Sequence, residues 1–201
     1  MTTYTGSDGN DEKYGSLSND VFNLYGGNDR AYGFEGNDTF YGGSGVDSPY
    51  GGYGDDKLDG GSGNDYLSGS YGNDTLVGGM DNDVMYGGVG ADKFVTTSIV
   101  DMWGVGDRIS DFHWWEGDKI DLRGVDAKAY DFWSASTWGD QAFSWKGSTG
   151  YAAQALGKGE LAYFQSDGNN HVYGNVDGDA QFEINITVDG TVPLIASDFY
   201  L

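Results

Sequence analysis

Along the first half of the chain, a large side chain returns to the same phase every ninth residue. Phe22, Ala31, Phe40, Pro49, Leu58, Leu67, Leu76, Met85 and Phe94 all fall on this period. In the clearest units the residue is flanked by polar ones, as in Lys57-Leu58-Asp59. A polar, apolar, polar triplet predicts a very short strand with one inward side chain. Three-residue strands repeated every nine residues leave six residues for each turn.

Those turns have a fixed composition. Aspartate stands at 11, 20, 29, 38, 47, 56, 65, 74, 83 and 92, in register throughout. The units 51–59 (GGYGDDKLD) and 60–68 (GGSGNDYLS) show the full form. Glycine occupies positions 1, 2 and 4, aspartate position 6, and an apolar residue position 8. Glycines at 2 and 4, such as Gly43, Gly45, Gly52, Gly54, Gly61, Gly63, Gly88 and Gly90, permit positive φ and leave carbonyls uncovered. Carbonyls beside a carboxylate form a hard oxygen set, which suits Ca²⁺ at about 2.3–2.6 Å. A flexible glycine-aspartate linker would need neither the period nor the apolar residue. Several units depart from the pattern: Leu24 and Tyr25 replace two glycines, Ser18 and Asp81 replace position 4, and Ser7, Ser16, Phe34 and Ser70 stand at position 2.

Composition narrows the picture. The 201 residues include 36 glycines and 2 prolines without a G-X-Y period, which excludes collagen. The formal net charge of −22 repels nucleic acid and anionic membranes. Without cysteine there are no disulfides, thiolate sites or thiol nucleophiles. No apolar run is long enough for a transmembrane helix. Met1 to Gly6 has neither a basic nor an apolar region, so no Sec signal peptide is expected. So much aromatic surface argues against permanent disorder, and so much negative charge argues for folding around cations.

The repeat resembles the RTX (repeats-in-toxin) nonapeptide of bacterial calcium-binding proteins. The resemblance implies an all-β fold: a parallel β-roll of about five coils, two nonapeptides per coil, with a C-terminal β-rich cap. It also implies that each Ca²⁺ lies between one turn and the turn 18 residues on. One edge would link Asp11, Asp29, Asp47, Asp65 and Asp83, the other Asp20, Asp38, Asp56, Asp74 and Asp92, giving about eight ions. Asp101 continues the phase and joins the expected ligands. Position 8 would then feed two sheets. One receives Phe22, Phe40, Leu58, Leu76 and Phe94; the other receives Lys13, Ala31, Pro49, Leu67 and Met85 and is expected to fray at its N-terminal end.

Position 9 of the weaker sheet reads Tyr14, Tyr32, Tyr50, Ser68, Tyr86, an outer-face column. It is either a glycan or protein platform or simply tyrosine on half-exposed strands, the plainer reading. The six tryptophans, Trp103, Trp114, Trp115, Trp133, Trp138 and Trp145, cluster in the second half. They read either as a docking patch or as an apolar lid on the open end of the roll, with the lid preferred.

The run from Gly90 to Leu122, with Asp107-Arg108-Ile109-Ser110-Asp111-Phe112 and Gly117-Asp118-Lys119-Ile120-Asp121-Leu122, resembles the segment that closes the roll in serralysin-type secreted metalloproteases. The terminal Ser197-Asp198-Phe199-Tyr200-Leu201 is similar to the uncleaved C-terminal signal of type I secretion. The division expected is a roll over 1–100 and a capping region with the export signal over 101–201. Asn175, Asp177 and Asp179 are spaced like the start of an EF-hand loop, but Ala180 and Ile186 break that pattern and a hairpin turn is preferred.

No catalytic motif is found. His113 and His171 are far apart, H-E-x-x-H and G-x-S-x-G are missing, and His113 reads as a solvent-facing loop residue. The reading is a secreted, extracellular bacterial module that folds on Ca²⁺ and partners the type I secretion apparatus. The alternatives are the non-catalytic part of a larger secreted enzyme, serralysin-like or alginate-epimerase-like, and a calcium-dependent adhesin or glycan-binding module.

Overall fold

The computed structural model describes residues 1–96, 106–123, 144–148, 160–175, 184–191 and 193–200. The chain winds between two sheets. The first contains, in spatial order, β1 (Thr3–Ser7), β3 (Val21–Tyr25), β5 (Thr39–Ser44), β7 (Lys57–Ser62), β9 (Thr75–Met80), β11 (Lys93–Val95), β13 (Lys119–Asp121) and β18 (Phe199–Tyr200). The second begins with β2 (Glu12–Tyr14), β4 (Arg30–Glu35), β6 (Ser48–Tyr53), β8 (Tyr66–Tyr71), β10 (Val84–Val89) and β12 (Asp107–Ile109). It continues through β17 (Ile184–Asp189), β16 (Asn169–Asn175), β15 (Glu160–Ser166) and β14 (Ser144–Ser148). Pairing is parallel throughout the repeats, in steps of 18 residues, and antiparallel only where β16 meets β15 and β17. The parallel β-roll is thus present, and its sheets run on past residue 100 through β12 and β13.

Register follows the position-8 residue. Phe22 pairs with Phe40, Phe40 with Leu58, Leu58 with Leu76 and Leu76 with Phe94, all fully buried. Phe22 and Phe40 stack at 4.4 Å, and Tyr4 extends the column at 4.8 Å from Phe22. On the facing sheet Ala31, Leu67, Met85, Ile109 and Val188 are fully buried. One inward row from each sheet makes the core, as in solenoids whose coils cannot bury apolar surface alone.

Two expectations are corrected. The central strands are six residues long, not three, because the glycines at positions 1 and 2 remain in the ladder: Gly43 pairs with Gly61, and Gly61 with Gly79. Position 2 thus belongs to the ladder as well as to the turn. The second sheet frays less than its composition suggests. Only β2 is short, whereas β4 and β6 are full length. Pro49 is buried and leaves a local trace: lacking an N–H, it is skipped in the ladder to β8, which opens at Tyr50 opposite Ser68.

The terminal motif is part of the fold. Asp198 closes a short 3-10 turn by accepting the Ile195 N–H at 2.9 Å, and Phe199 packs beneath Ile120 as the last strand of the first sheet. β16 and β17 pair antiparallel, and the turn reading for Asn175, Asp177 and Asp179 falls on the segment between them. Asp177 and Asp179 themselves lie outside the described residues.

Candidate metal centres

Each repeat aspartate ties its turn to the turn 18 residues earlier. The N–H of Asp11 donates to Oδ1 of Asp29 at 2.7 Å, Asp29 to Asp47 at 2.8 Å, Asp47 to Asp65 at 2.8 Å and Asp65 to Asp83 at 2.8 Å. The other edge runs likewise from Asp20 through Asp38, Asp56 and Asp74 to Asp92. These are the two edges that the resemblance to the RTX nonapeptide implies. The backbone reinforces them, since the carbonyl of each aspartate accepts from the residue after the next aspartate, as in Ser48 N–H to Asp29 O at 2.8 Å.

The second oxygen is different. Oδ2 of Asp29, Asp38, Asp47, Asp56, Asp65, Asp74, Asp83 and Asp92 is buried with no hydrogen-bond partner. Eight buried carboxylate oxygens without donors are far outside the native norm and need a cation or proton. Asp11 and Asp20 differ: their Oδ2 atoms accept both the N–H and the hydroxyl of Ser7 and Ser16, at 2.7–2.9 Å.

The backbone divides the turns in the same way. In the eight units ending in orphaned aspartates, positions 2 and 4 both have positive φ. Position 2 is Tyr25, Phe34, Gly43, Gly52, Gly61, Ser70, Gly79 or Gly88, and position 4 is Gly27, Gly36, Gly45, Gly54, Gly63, Gly72, Asp81 or Gly90. Ser7, Gly9, Ser16 and Ser18 are not among them. The consequence is clear at two glycines. A methyl on Gly61 would collide with the carbonyl oxygen of Gly43, and one on Gly63 with that of Gly45. The position-2 and position-4 carbonyls of one turn therefore face the next turn on that edge, while the orphaned Oδ2 of Asp65 lies beside Gly60 at the start of its own turn. The glycines singled out in the sequence all take this conformation. So do Tyr25, Phe34, Ser70 and Asp81, because only backbone oxygens are presented and side-chain identity matters less than φ. Each costs about 1–3 kcal/mol of strain, which the turn must recover.

Electrostatics marks the same groups. Burial lifts the Asp56 and Asp83 carboxyls to about 8, Asp65 and Asp92 to about 7, and Asp38, Asp47 and Asp74 to about 6, only partly offset by the backbone N–H each accepts. Asp29 is raised for the same reason. Asp11 is lowered by Lys13 and Ser7. At Asp20 the bonds from Ser16 and Thr2 outweigh burial, and its carboxyl is lowered too. Among the described residues no three acidic or imidazole side chains converge on one point. A gap instead combines a carboxylate with several carbonyls, the donor chemistry that suits Ca²⁺.

Three features of the array were not read from the sequence. Asp101 lies outside the described residues, and the N–H of Asp83 is received by Asp107, 24 residues on, at 3.2 Å. On the other edge Asp118 receives Asp92, 26 residues on, at 2.9 Å. Position 5 also forms a ladder running the opposite way. Asn10 accepts from Asn28, Asn19 from Asn37, Asn37 from Asp55 and Asn73 from Ala91. The consensus reads that position as any residue. The enrichment of asparagine at 10, 19, 28, 37, 64, 73 and 82 was the available signal.

The aromatic candidates fall as follows. Tyr14, Tyr32 and Tyr50 do form an outer column, stacked at 5.3 and 5.0 Å with planes 8° apart. Tyr66 fills the break at Ser68, tilted between Tyr50 and Tyr86. Rings stacked this way cover one another's faces and present their edges. Beside them, Leu17, Phe34, Tyr53 and Tyr71 line a shallow cavity of about 370 Å³. Trp114 and Trp115 are exposed at 53% and 59%, which corrects the lid reading for these two. Trp103, Trp133 and Trp138 lie outside the described residues, as does the Trp145 side chain. His113 is half-buried in the turn before Asp118, 3.4 Å from Glu116 and against Trp115, rather than free in solvent.

Comparison with known proteins accords with this geometry. Residues 14–49, 50–67 and 59–94 match the family model described as RTX calcium-binding nonapeptide repeat (4 copies). No curated protein matches the chain. Two solved structures are similar to the chain at low identity, both from the Azotobacter vinelandii mannuronan C5-epimerase. The AlgE6R3 subunit is 22% identical with a TM-score of 0.46 over 97% of this chain and 80% of that one. The AlgE6R2 subunit is 21% identical with a TM-score of 0.43 over 98% and 90%. The family match thus spans residues 14–94, the stretch that holds the eight orphaned aspartates.

Proposed function

We propose that this chain is a calcium-binding module that is unfolded at cytosolic Ca²⁺, is exported by a type I apparatus, and folds outside the cell around about eight ions. The observation that carries the reading is a coincidence. The eight turns with an orphaned buried Oδ2 are the same eight with positive φ at positions 2 and 4. The ligands proposed for each ion are that Oδ2 and carbonyls of the adjoining turn on its edge; for Asp47, Asp56, Asp65, Asp74, Asp83 and Asp92 the turn 18 residues earlier itself has positive φ at positions 2 and 4, whereas for Asp29 and Asp38 it is the Ser7 or Ser16 turn, which does not. When bound, Ca²⁺ supplies the positive charge that lets these carboxylates stay buried and ionised. Without it, each coil buries one large side chain per strand, too little to offset backbone entropy and charge repulsion.

The function proposed is binding and folding rather than catalysis. Extracellular localisation follows from the calcium requirement, since Ca²⁺ sites of this kind fill at about 10⁻⁴–10⁻³ M. The terminal motif supports the order of events. Phe199 and Asp198 are buried in the folded protein, so a C-terminal signal would be readable only before folding. Circular dichroism in EGTA and after adding millimolar Ca²⁺ tests the proposal. At neutral pH β-structure should appear only with calcium, and a chain already rich in β-structure in EGTA at that pH overturns it.

A further inference from the structure

The residue 18 positions before Asp20 is Thr2, and Asp20 has no orphaned oxygen. Its Oδ1 accepts the Thr2 N–H at 2.7 Å, and Val21 N–H donates to the Thr2 carbonyl at 2.8 Å. These are the bonds that join Asp38 to Asp20, where Asp20 N–H donates at 2.7 Å and the Asp20 carbonyl accepts from Thr39. Thr2 therefore stands in the aspartate's place one coil earlier. At that gap, however, Ser16 donates its N–H and its hydroxyl to Oδ2 of Asp20, at 2.9 and 2.7 Å. Ser7 does the same for Asp11 at 2.7 and 2.8 Å, while Lys13 takes Oδ1 of Asp11 at 3.0 Å. Both serines have ordinary φ, which turns the position-2 N–H toward the carboxylate.

The far end is closed by other groups with the same result. Asp118 Oδ2 accepts the His113 N–H at 2.6 Å, and the Thr96 hydroxyl bonds the Asp107 carboxylate. Asp111 accepts the N–H groups of Gly87 and Gly88, both at 2.9 Å, and Glu116 that of Gly90 at 3.3 Å. Inside the roll a position-4 N–H finds a carbonyl of the next coil, as Gly72 finds Val89 at 2.9 Å. At the last coil a carboxylate side chain replaces that carbonyl.

We infer that the chain closes its own ion array: Ser7 and Ser16 at one end, and Thr96 and the His113 N–H at the other, occupy the place that calcium takes in the turns between. This rests on the calcium reading and adds a boundary to it. At either end an ion would have to displace these donors from the carboxylate and would be lost first. Replacing it with protein donors makes the outermost turns complete without metal, so filling is confined to the eight inner gaps.

The test is calcium stoichiometry of the full chain at saturating Ca²⁺, by equilibrium dialysis and native mass spectrometry, with circular dichroism verifying the fold. The wild type should hold eight ions. Asp11→Ala/Asp20→Ala should still hold eight, and Asp29→Ala/Asp38→Ala at least two fewer. Ser7→Gly/Ser16→Gly is the milder variant. It should keep eight ions and raise the calcium midpoint by less than about twofold, because the lost bonds are spread over all the ions. Ten ions in the wild type, or equal losses in the two aspartate pairs, would overturn the inference while leaving calcium-driven folding intact. A wild type that binds no calcium overturns both.

Discussion

The N–H of Asp47 donates to Oδ1 of Asp65 at 2.8 Å, and Oδ2 of Asp65 is left buried beside that bond without a partner. One carboxylate thus has two tasks: one oxygen sets the spacing between coils, and the other calls for a cation.

The two tasks separate by substitution. Asp65→Asn keeps an acceptor for the Asp47 N–H but removes the charge. It should bind one ion fewer and raise the calcium midpoint of folding about 3- to 10-fold. Asp65→Ala also leaves the Asp47 N–H unpaired, adding a loss of about 1–3 kcal/mol. Calcium titration followed by circular dichroism should rank wild type, Asn and Ala in that order. Equal midpoints for Asn and Ala would count against the coil-spacing role of Oδ1.

Ion choice follows from the donors. Carbonyl and carboxylate oxygens on turns that tolerate Tyr25 and Gly43 at equivalent positions form an adaptable cage. Ca²⁺ accepts irregular coordination, whereas Mg²⁺ demands a tight octahedron and sheds water reluctantly. Millimolar Mg²⁺ alone should therefore leave the repeat unfolded under conditions where Ca²⁺ folds it. Equal folding by both, measured by circular dichroism, would refute the carbonyl-carboxylate assignment.

Much of this was legible because the period is unbroken from Asp11 to Asp92, and a fixed period dictates which residues meet. With two nonapeptides per coil, as the RTX resemblance implies, the edges, the inward rows and the tyrosine column follow from it. What escaped the reading did so for physical reasons. Gly43 and Gly61 read as turn residues by propensity, but they pair in the ladder while keeping the positive φ that Tyr25, Phe34 and Ser70 share at the same position. Asp107 and Asp118 were invisible as successors of Asp83 and Asp92 because steps of 24 and 26 residues break the phase. The serines at positions 7 and 16 looked like imperfect repeats, and their role emerges only once the direction of their N–H groups is known.

The position-5 ladder offers a gain of stability. Asn28 accepts the N–H of Val46 at 3.0 Å, but Val46 has no side-chain oxygen to offer Asn64 in turn, and it is 46% exposed. Val46→Asn should restore the missing rung and stabilise the calcium-loaded roll by about 0.5–1.5 kcal/mol. Asn37→Ala, which removes the acceptor for Asp55 N–H, should cost a similar amount. Thermal unfolding in saturating Ca²⁺ reads both, and a Val46→Asn midpoint at or below wild type would show the ladder to be incidental.

The last prediction concerns pH without metal. Aspartate in an unfolded chain titrates near 3.9. In the metal-free roll burial raises Asp38, Asp47 and Asp74 to about 6, Asp65 and Asp92 to about 7, and Asp56 and Asp83 to about 8. The folded form therefore holds protons that the unfolded form has released. A group raised in this way favours folding fully below its unfolded pKa, and that contribution is lost as pH rises through the folded value. A proton at low pH does part of the cation's work, since a neutral carboxyl can stay buried and offer its O–H. Calcium-free protein should thus gain β-structure near pH 4 and lose it between about pH 4 and 8. Calcium reverses the balance by favouring the ionised form. With Ca²⁺ present the roll should hold across neutral pH and release its ions on acidification. Circular dichroism in chelator-treated buffer from pH 4 to 8, repeated with millimolar Ca²⁺, separates the two curves. A calcium-free chain that is as unfolded at pH 4 as at pH 8 would show that the buried carboxylates are not what opposes folding.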